Sequence, residues 1–220
     1  MQRNNLMVVF DIDDTLYNEL DYIWSSYQKI SKVLNLDISA EMLAVRRQWK
    51  DVFQYVKDTY NTPMSADEIA QMYWDHTMTL ELFPDAKRLL DWLKTNHIKT
   101  GIISDGRSLT QRNKMKMLGL NDYVANDDVV ISEEIGNMKP CIDNYLYFEK
   151  RYPDTRFVYI GDNTERDFLS PNQLGWDSFC RLDAGRNIHP QNFCLPNEYL
   201  PKHTVKSLDE CIPFFVKEQK

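Results

Sequence analysis

The chain has 220 residues, 43% of them hydrophobic and 27% charged, and a formal net charge of -7. That length is ample for a buried core and suits one large domain or a core with a small insertion. The acidic balance and the lack of a basic stripe argue against a nucleic-acid polymer as partner, so an anion would have to be met by local Lys or Arg, or by a metal. No apolar run reaches signal-peptide or membrane-spanning length, and Cys141, Cys180, Cys194 and Cys211 are scattered without metal-type spacing. These features read as a cytoplasmic protein with reduced thiols.

Leu6-Met7-Val8-Val9-Phe10 is an apolar run stopped by Asp11, the pattern of a strand buried on both faces. From about residue 17 to 81 the period becomes helical. Leu20, Ile23, Trp24, Tyr27, Ile30 and Leu34 recur at helix spacing, as do Val45, Trp49, Val52, Phe53, Val56 and Tyr60. Ser65-Ala66-Asp67-Glu68 is a capping box that opens a third helix. Pro84 opens a helix with Leu89, Leu90 and Leu93 on one face. Residues 98–103 form a second strand ending at Ser104, and 108–118 a helix stopped by Gly119. A third strand spans 129–131. Pro140 then opens a helix with Ile142, Tyr145 and Leu146 turned inward. A fourth strand, 157–160, ends at Gly161-Asp162, and a weaker fifth spans 178–182. Residues 184–203, with three prolines, read as irregular surface chain, and Pro213 argues against a regular helix after it. The alternation implies a parallel, right-handed α/β sheet interrupted by an all-helical insertion.

In open α/β sheets, ligands bind outside the carboxyl ends of the strands. There the chain carries Asp11 and Asp13, Ser104, and Asp162 and Asp167, with Lys139 in the loop after the third strand. Crowded carboxylates must bind protons or a cation, and their hard oxygens suit Mg²⁺. A lysine and a hydroxyl beside them supply donors for an anion. The combination points to phosphoryl transfer.

These residues resemble the motifs of the haloacid dehalogenase-like (HAD) hydrolase superfamily, in order. The first is Asp11-Ile12-Asp13-Asp14-Thr15 and the second Ser104, in Gly101-Ile102-Ile103-Ser104-Asp105-Gly106. The third is Lys139, before Pro140, and the fourth runs from Gly161-Asp162 to Asp167. The resemblance implies a three-layer, Rossmann-like α/β core with strand order 5-4-1-2-3 and an inserted all-helical C1 cap. Residues 1–16 and 82–220 would form the core, and 17–81 the cap. It also implies roles. Asp11 is the nucleophile and Asp13 the general acid and base, with protonation favoured by its anionic neighbours. Mg²⁺ is held by Asp11, Asp162 and the backbone carbonyl of Asp13. Ser104 and Lys139 grip the phosphoryl oxygens, and Asp167 and Asn163 support the site. Relatives that displace halide lack an acid two residues after the nucleophile, so Asp13 favours oxygen leaving groups.

The expected activity is Mg-dependent hydrolysis of a small phosphomonoester through an aspartyl-phosphate. A sugar phosphate or nucleoside monophosphate leads, with phosphoglycolate as a further candidate. A phosphomutase using the same aspartate and a non-enzymatic binding module are the alternatives. Tyr17, Asn18 and Glu19 follow the catalytic turn and, with Asp105, are the candidates for lining the pocket. Asp105 stands where many relatives carry Asn, and either makes a backbone contact or repels a second anion. The aromatic residues of 17–81 read as a helical-bundle core in preference to a nucleobase platform. Arg46, Arg47 and His76 read as exposed or structural. A monomer or homodimer is expected.

Overall fold

The computed structural model describes residues 5–48 and 50–217. Strand β1 (Leu6–Phe10) lies at the centre of a six-stranded, wholly parallel sheet. The others are β2 (Lys99–Ser104), β3 (Val129–Ile131), β4 (Arg156–Gly161), β5 (Asp177–Arg181) and β6 (His203–Val205), in the order β3-β2-β1-β4-β5-β6. The first five thus follow the expected order. β6 is an addition that begins at the last residue of the stretch read as irregular, and its three residues pair with Phe179, Cys180 and Arg181.

Alternation along the strands builds the three layers. Val8 and Phe10 point to one face with Ile102, Ile131, Val158 and Ile160, and Met7 and Val9 point to the other with Ile103, Val130 and Tyr159. The first face is covered by α5 (Pro84–Thr95), whose Leu89, Leu90 and Leu93 are buried as their spacing requires, and by Leu208 and Phe215. The second is covered by Tyr145 and Phe148 of α8 (Asp143–Arg151) and by Phe168 and Trp176.

The segment between β1 and α5 forms α1 (Glu19–Leu34), α2 (Ser39–Arg46), α3 (Val52–Tyr60) and α4 (Ala66–Trp74). The Phe83 N–H donates to the Leu16 carbonyl at 2.8 Å, so the ends of the segment meet. In α1, Ile23, Tyr27 and Ile30 face inward, and Asn35 closes the helix in the left-handed conformation. The capping box at Ser65 is present. The repeat from Val45 to Tyr60 is two helices rather than one. Asp51 accepts from the N–H groups of Phe53 and Gln54, both at 3.0 Å, and so starts a new helix where periodicity alone reads continuity. Trp49 lies outside the described residues.

Two further expectations are corrected. Pro140 lies in a turn, α8 begins three residues later at Asp143, and Phe148 packs inward while Leu146 is half-buried. Pro213 is compatible with α10 (Ile212–Lys217), because it sits at the second helical position, where an N–H has no intrahelical partner to lose. The remaining short helices are α6 (Ser108–Met117), α7 (Ser132–Ile135) and α9 (Leu169–Gln173).

The corrected face of α8 is testable. Phe148→Ala is expected to cost roughly 3–5 kcal/mol in urea unfolding, and Leu146→Ala markedly less.

Candidate active site

The strand ends bring the motif residues to one edge. Asp11 follows β1, its N–H donating to the Ile160 carbonyl of β4 at 2.9 Å, and Asp162 follows β4. Asp11, Asp162 and Asp167 each place a carboxylate oxygen within 4.8 Å of the others, and all three residues are buried. Lys139 Nζ reaches into this group, 2.7 Å from Asp11 and 2.6 Å from Asp167. Asp167 has both oxygens occupied. Lys139 and the Tyr159 hydroxyl, at 3.1 Å, donate to one, and the N–H groups of Asp162 and Asn163, at 3.1 and 2.8 Å, donate to the other. Among the described residues, Asp162 accepts from two neutral donors, Thr15 Oγ1 at 3.3 Å and Asn187 Nδ2 at 2.8 Å.

One ammonium among three buried carboxylates leaves negative charge uncompensated. Burial pushes the Asp11 carboxyl well up, opposed by Lys139 and reinforced by Asp167 and Asp13. Burial, then the charges of Asp167, Asp11 and Asp14, raises Asp162 as well. Asp14, at a positive φ of 56° in the turn after β1, is pushed up to about 7 by burial and by Glu19, although it accepts two backbone N–H bonds. A hard divalent cation fits this donor set: Asp11 and Asp162 have acceptor capacity to spare, and Asp167 does not.

Asp13 differs from the expectation. Burial would raise its carboxyl, but the Lys114 ammonium and hydrogen bonds from Lys114, Tyr17 and Gln111 outweigh burial and hold it below the ordinary range. Its closest charged neighbour is cationic, so the resting side chain is an anion. Tyr17 and Asn18 are absent from the cavity wall. Tyr17 is fully buried and donates its hydroxyl to Asp13 at 2.5 Å, and Asn18 precedes α1. Ser104 is buried beneath the wall, and the Gln111 amide donates to its hydroxyl at 2.5 Å. Asp105 does line the cavity, and it makes the backbone contact, accepting from the Lys139 N–H at 3.0 Å. Asn163 lines the cavity too and accepts from the Glu165 N–H, closing the turn that carries Asp162.

The cavity has a volume of about 340 Å³. Glu19, Arg46, Tyr73 and Trp74 wall it from the helical segment, facing the carboxylates across the space. Arg46 pairs with Glu19 at 3.3 Å, Arg47 is exposed, and His76 is buried against Ser25. Tyr22, Tyr27, Phe53 and Tyr73 pack together, with centroids 5.4 to 6.0 Å apart, so these aromatics do form a bundle core.

Several groups at the site had no sequence signal. Thr110, Gln111, Lys114, Arg166 and His189 line the cavity. Residues 184–192, read as surface chain, reach back to Asp14 and Asp162. Asn187 binds Asp162, the Ile188 N–H donates to Asp14 at 2.8 Å, and Gln191 donates to the Asp162 carbonyl at 2.8 Å.

Fold and cluster together define a doubly wound α/β protein with its polar centre at the carboxyl edge of the central strands. Residues 8–180 match the family described as haloacid dehalogenase-like hydrolase, and the chain belongs to that family. It is 27% identical over 223 residues to glyceraldehyde 3-phosphate phosphatase of Methanocaldococcus jannaschii, covering 93% of this chain and 94% of that protein. It is 35% identical over 130 residues to a pyrimidine 5'-nucleotidase of Escherichia coli, covering 58% of this chain and 53% of that protein. Its fold is like that of the HAD hydrolase YfnB of Bacillus subtilis, solved with bound magnesium. The TM-score is 0.73 at 18% identity, with 97% of this chain and 100% of that one covered.

Gly161 has a specific packing reason: a Cβ there would collide with the Asp167 carboxylate. Gly161→Ala is expected to destabilise the protein by about 1–3 kcal/mol through overpacking, read by urea unfolding.

Proposed function

We propose that the protein is a magnesium-dependent phosphatase that hydrolyses a small sugar phosphate through an aspartyl-phosphate on Asp11. The observation that carries this reading is the buried Asp11–Lys139–Asp167 group beside Asp162, opening on a cavity lined by charged and polar side chains. Asp11 and Asp162, with the Asp13 backbone carbonyl, would hold Mg²⁺. When bound, the ion would offset the charge of the phosphoryl group and of the nucleophile. Asp11 attacks phosphorus, and the ester P–O bond breaks as Asp13, which takes a proton from solvent when the anionic phosphoryl group binds beside it, gives that proton to the leaving oxygen. Water then attacks the phosphoenzyme, passing a proton to Asp13, and the Asp11–phosphorus bond breaks to release phosphate. Lys139 lines the cavity and would contact the phosphoryl oxygens; Ser104, buried beneath the wall, would reach them with its own proton once Gln111 moves aside. In this reading residues 17–81 are a cap over a core made of 1–16 and 82–220. The cap excludes water during transfer.

Cavity chemistry favours a sugar phosphate over a nucleotide. Arg107 already lies 3.5 Å over the Trp74 ring, and Tyr73 is packed among aromatics and Arg46, so the wall offers no clear stacking platform. Glu19, Arg46, Arg166 and His189 offer hydrogen-bonding groups suited to hydroxyls and a carbonyl. The triose-phosphate phosphatase resembles the chain over nearly its whole length, the nucleotidase over about half. Asp13 supplies the proton that an alkoxide needs and a halide does not.

A phosphate-release screen with Mg²⁺ should show three- to six-carbon sugar phosphates turned over faster than nucleoside monophosphates. The reverse ranking would reject this substrate class. Asp11→Asn should abolish release, and EDTA should do so reversibly.

The raised carboxyls add a pH-dependent test. Asp14 moves from 3.8 to about 7 on folding, and Asp11 and Asp162 shift in the same direction. Without a cation, the stability they contribute is present below the ordinary carboxylate value and lost as pH rises through the folded values. A bound cation opposes that loss and competes with protons. Magnesium should therefore raise the melting temperature more at mildly alkaline than at mildly acidic pH. A shift independent of pH would count against cation binding at these carboxylates.

A further inference from the structure

Helix α6 is built against expectation. Its buried residues are Thr110, Gln111, Lys114 and Met115, so most of the inner face of this short helix is polar. A helix packed on a sheet ordinarily turns an apolar stripe inward. Burying an ammonium is costly unless a partner holds it. The Lys114 side chain is 3% exposed, and its Nζ lies 2.6 Å from Asp13 Oδ1. Its aliphatic stem leads to an ammonium that lies 4.9 Å from the centre of the Tyr22 ring.

Asp13 is held from both sides. Oδ1 accepts from Tyr17 at 2.5 Å and Lys114 at 2.6 Å, and Oδ2 accepts from Gln111 Nε2 at 2.9 Å. Anchoring both oxygens from different elements stops the carboxylate rotating about its Cβ–Cγ bond. Oδ2, with one donor, keeps a lone pair for a substrate oxygen or a water. The second N–H of the Gln111 amide goes to Ser104 Oγ at 2.5 Å. Ser104 is thereby an acceptor toward Gln111, and its own proton is left for another acceptor.

We propose that Gln111 and Lys114 are positioning residues for proton transfer: they hold the Asp13 carboxylate at the angle from which it serves the leaving oxygen and then the attacking water, and Gln111 fixes Ser104 relative to it. This inference rests on the phosphatase reading above. A purely structural pair would affect all substrates alike. A pair that acts through Asp13 affects most the substrates whose leaving group needs a proton.

The test uses the full chain with Mg²⁺, as wild type, Lys114→Met and Gln111→Leu. Each is assayed on p-nitrophenyl phosphate, whose nitrophenolate leaves without a proton, and on the sugar phosphate that wild type turns over fastest. On the sugar phosphate, kcat should fall roughly 10²-fold or more in Lys114→Met, with KM little changed. On p-nitrophenyl phosphate the variant should release a rapid burst of nitrophenolate equal to the enzyme. Slow turnover should follow, because hydrolysis of the phosphoenzyme still lacks an aligned base. Gln111→Leu should show the same pattern more weakly.

Equal losses on both esters with no burst would overturn the proposal, as would undiminished kcat on the sugar phosphate in both variants. If one variant does not fold by circular dichroism, the other carries the test; if neither folds, the pair is structural and the proposal falls. A wild type that hydrolyses neither ester rejects the phosphatase reading itself. That outcome is distinct from a working wild type with unaffected variants.

Discussion

More carboxylates are buried at the carboxyl edge of the central strands than there are cations to meet them, and this imbalance organises the molecule. Lys139 serves Asp11 and Asp167, and Lys114 serves Asp13. Among the described residues, Asp162 and Asp14 receive neutral donors: a threonine hydroxyl, an amide and backbone N–H groups. The uncompensated charge therefore collects between Asp11 and Asp162, on the cavity side of Lys139. In a low-dielectric setting such a concentration persists only if something positive is drawn to it. The geometry thus separates a half of the site suited to a cation from a half suited to moving a proton.

The sheet makes this separation precise enough to matter. β1 and β4 are adjacent, so Asp11 and Asp162 emerge side by side, and the N–H of Asp11 extends the ladder one residue past the strand. On the other side of β1, β2 delivers Ser104, and α6 returns across the sheet with Gln111 and Lys114 facing the turn that holds Asp13. Asp11 and Asp162 follow strands whose positions are fixed by apolar packing on both faces. Thr110 also donates to the Trp74 carbonyl at 2.9 Å, so α6 touches the end of α4 while it holds Asp13.

The parts of this arrangement visible in the sequence were those fixed by local rules. Central strands buried on both faces read as unbroken apolar runs, and the residue that stops each run is the one placed at the edge: Asp11, Ser104, Asp162. Ser65 and Pro84 announced their helices for equally local reasons. Other features depended on competition or on distant partners. Asp51 caps a helix that the apolar period alone would carry straight through. Phe148 rather than Leu146 faces the sheet because α8 starts three residues after Pro140. Gln111 and Lys114 look like solvated helix residues until the fold shows the Asp13 carboxylate opposite them. For the same reason, charge counting near Asp13 missed its cation, which lies about a hundred residues away in the chain. Residues 184–192 have no period to read, since their order comes from separate contacts: Asp183 accepts the N–H groups of Gly185, Arg186 and Asn187, and single hydrogen bonds reach Asp14, Asp162 and Thr164.

That last segment also separates two things that motif patterns treat as one. The family resemblance runs from residue 8 to 180 and ends just before it. Yet Asn187 and Ile188 supply donors to the very carboxylates the motifs define, Gln191 donates to the Asp162 backbone carbonyl, and Arg186 ties the same stretch to Asp21 on α1 at 2.7 Å. A chain trimmed at the end of the recognisable pattern would keep every signature residue and lose part of what orders them. The signature residues and several of the groups that order them therefore lie in separate stretches of the chain, and a change at Asn187 would alter the surroundings of Asp162 with every motif residue in place.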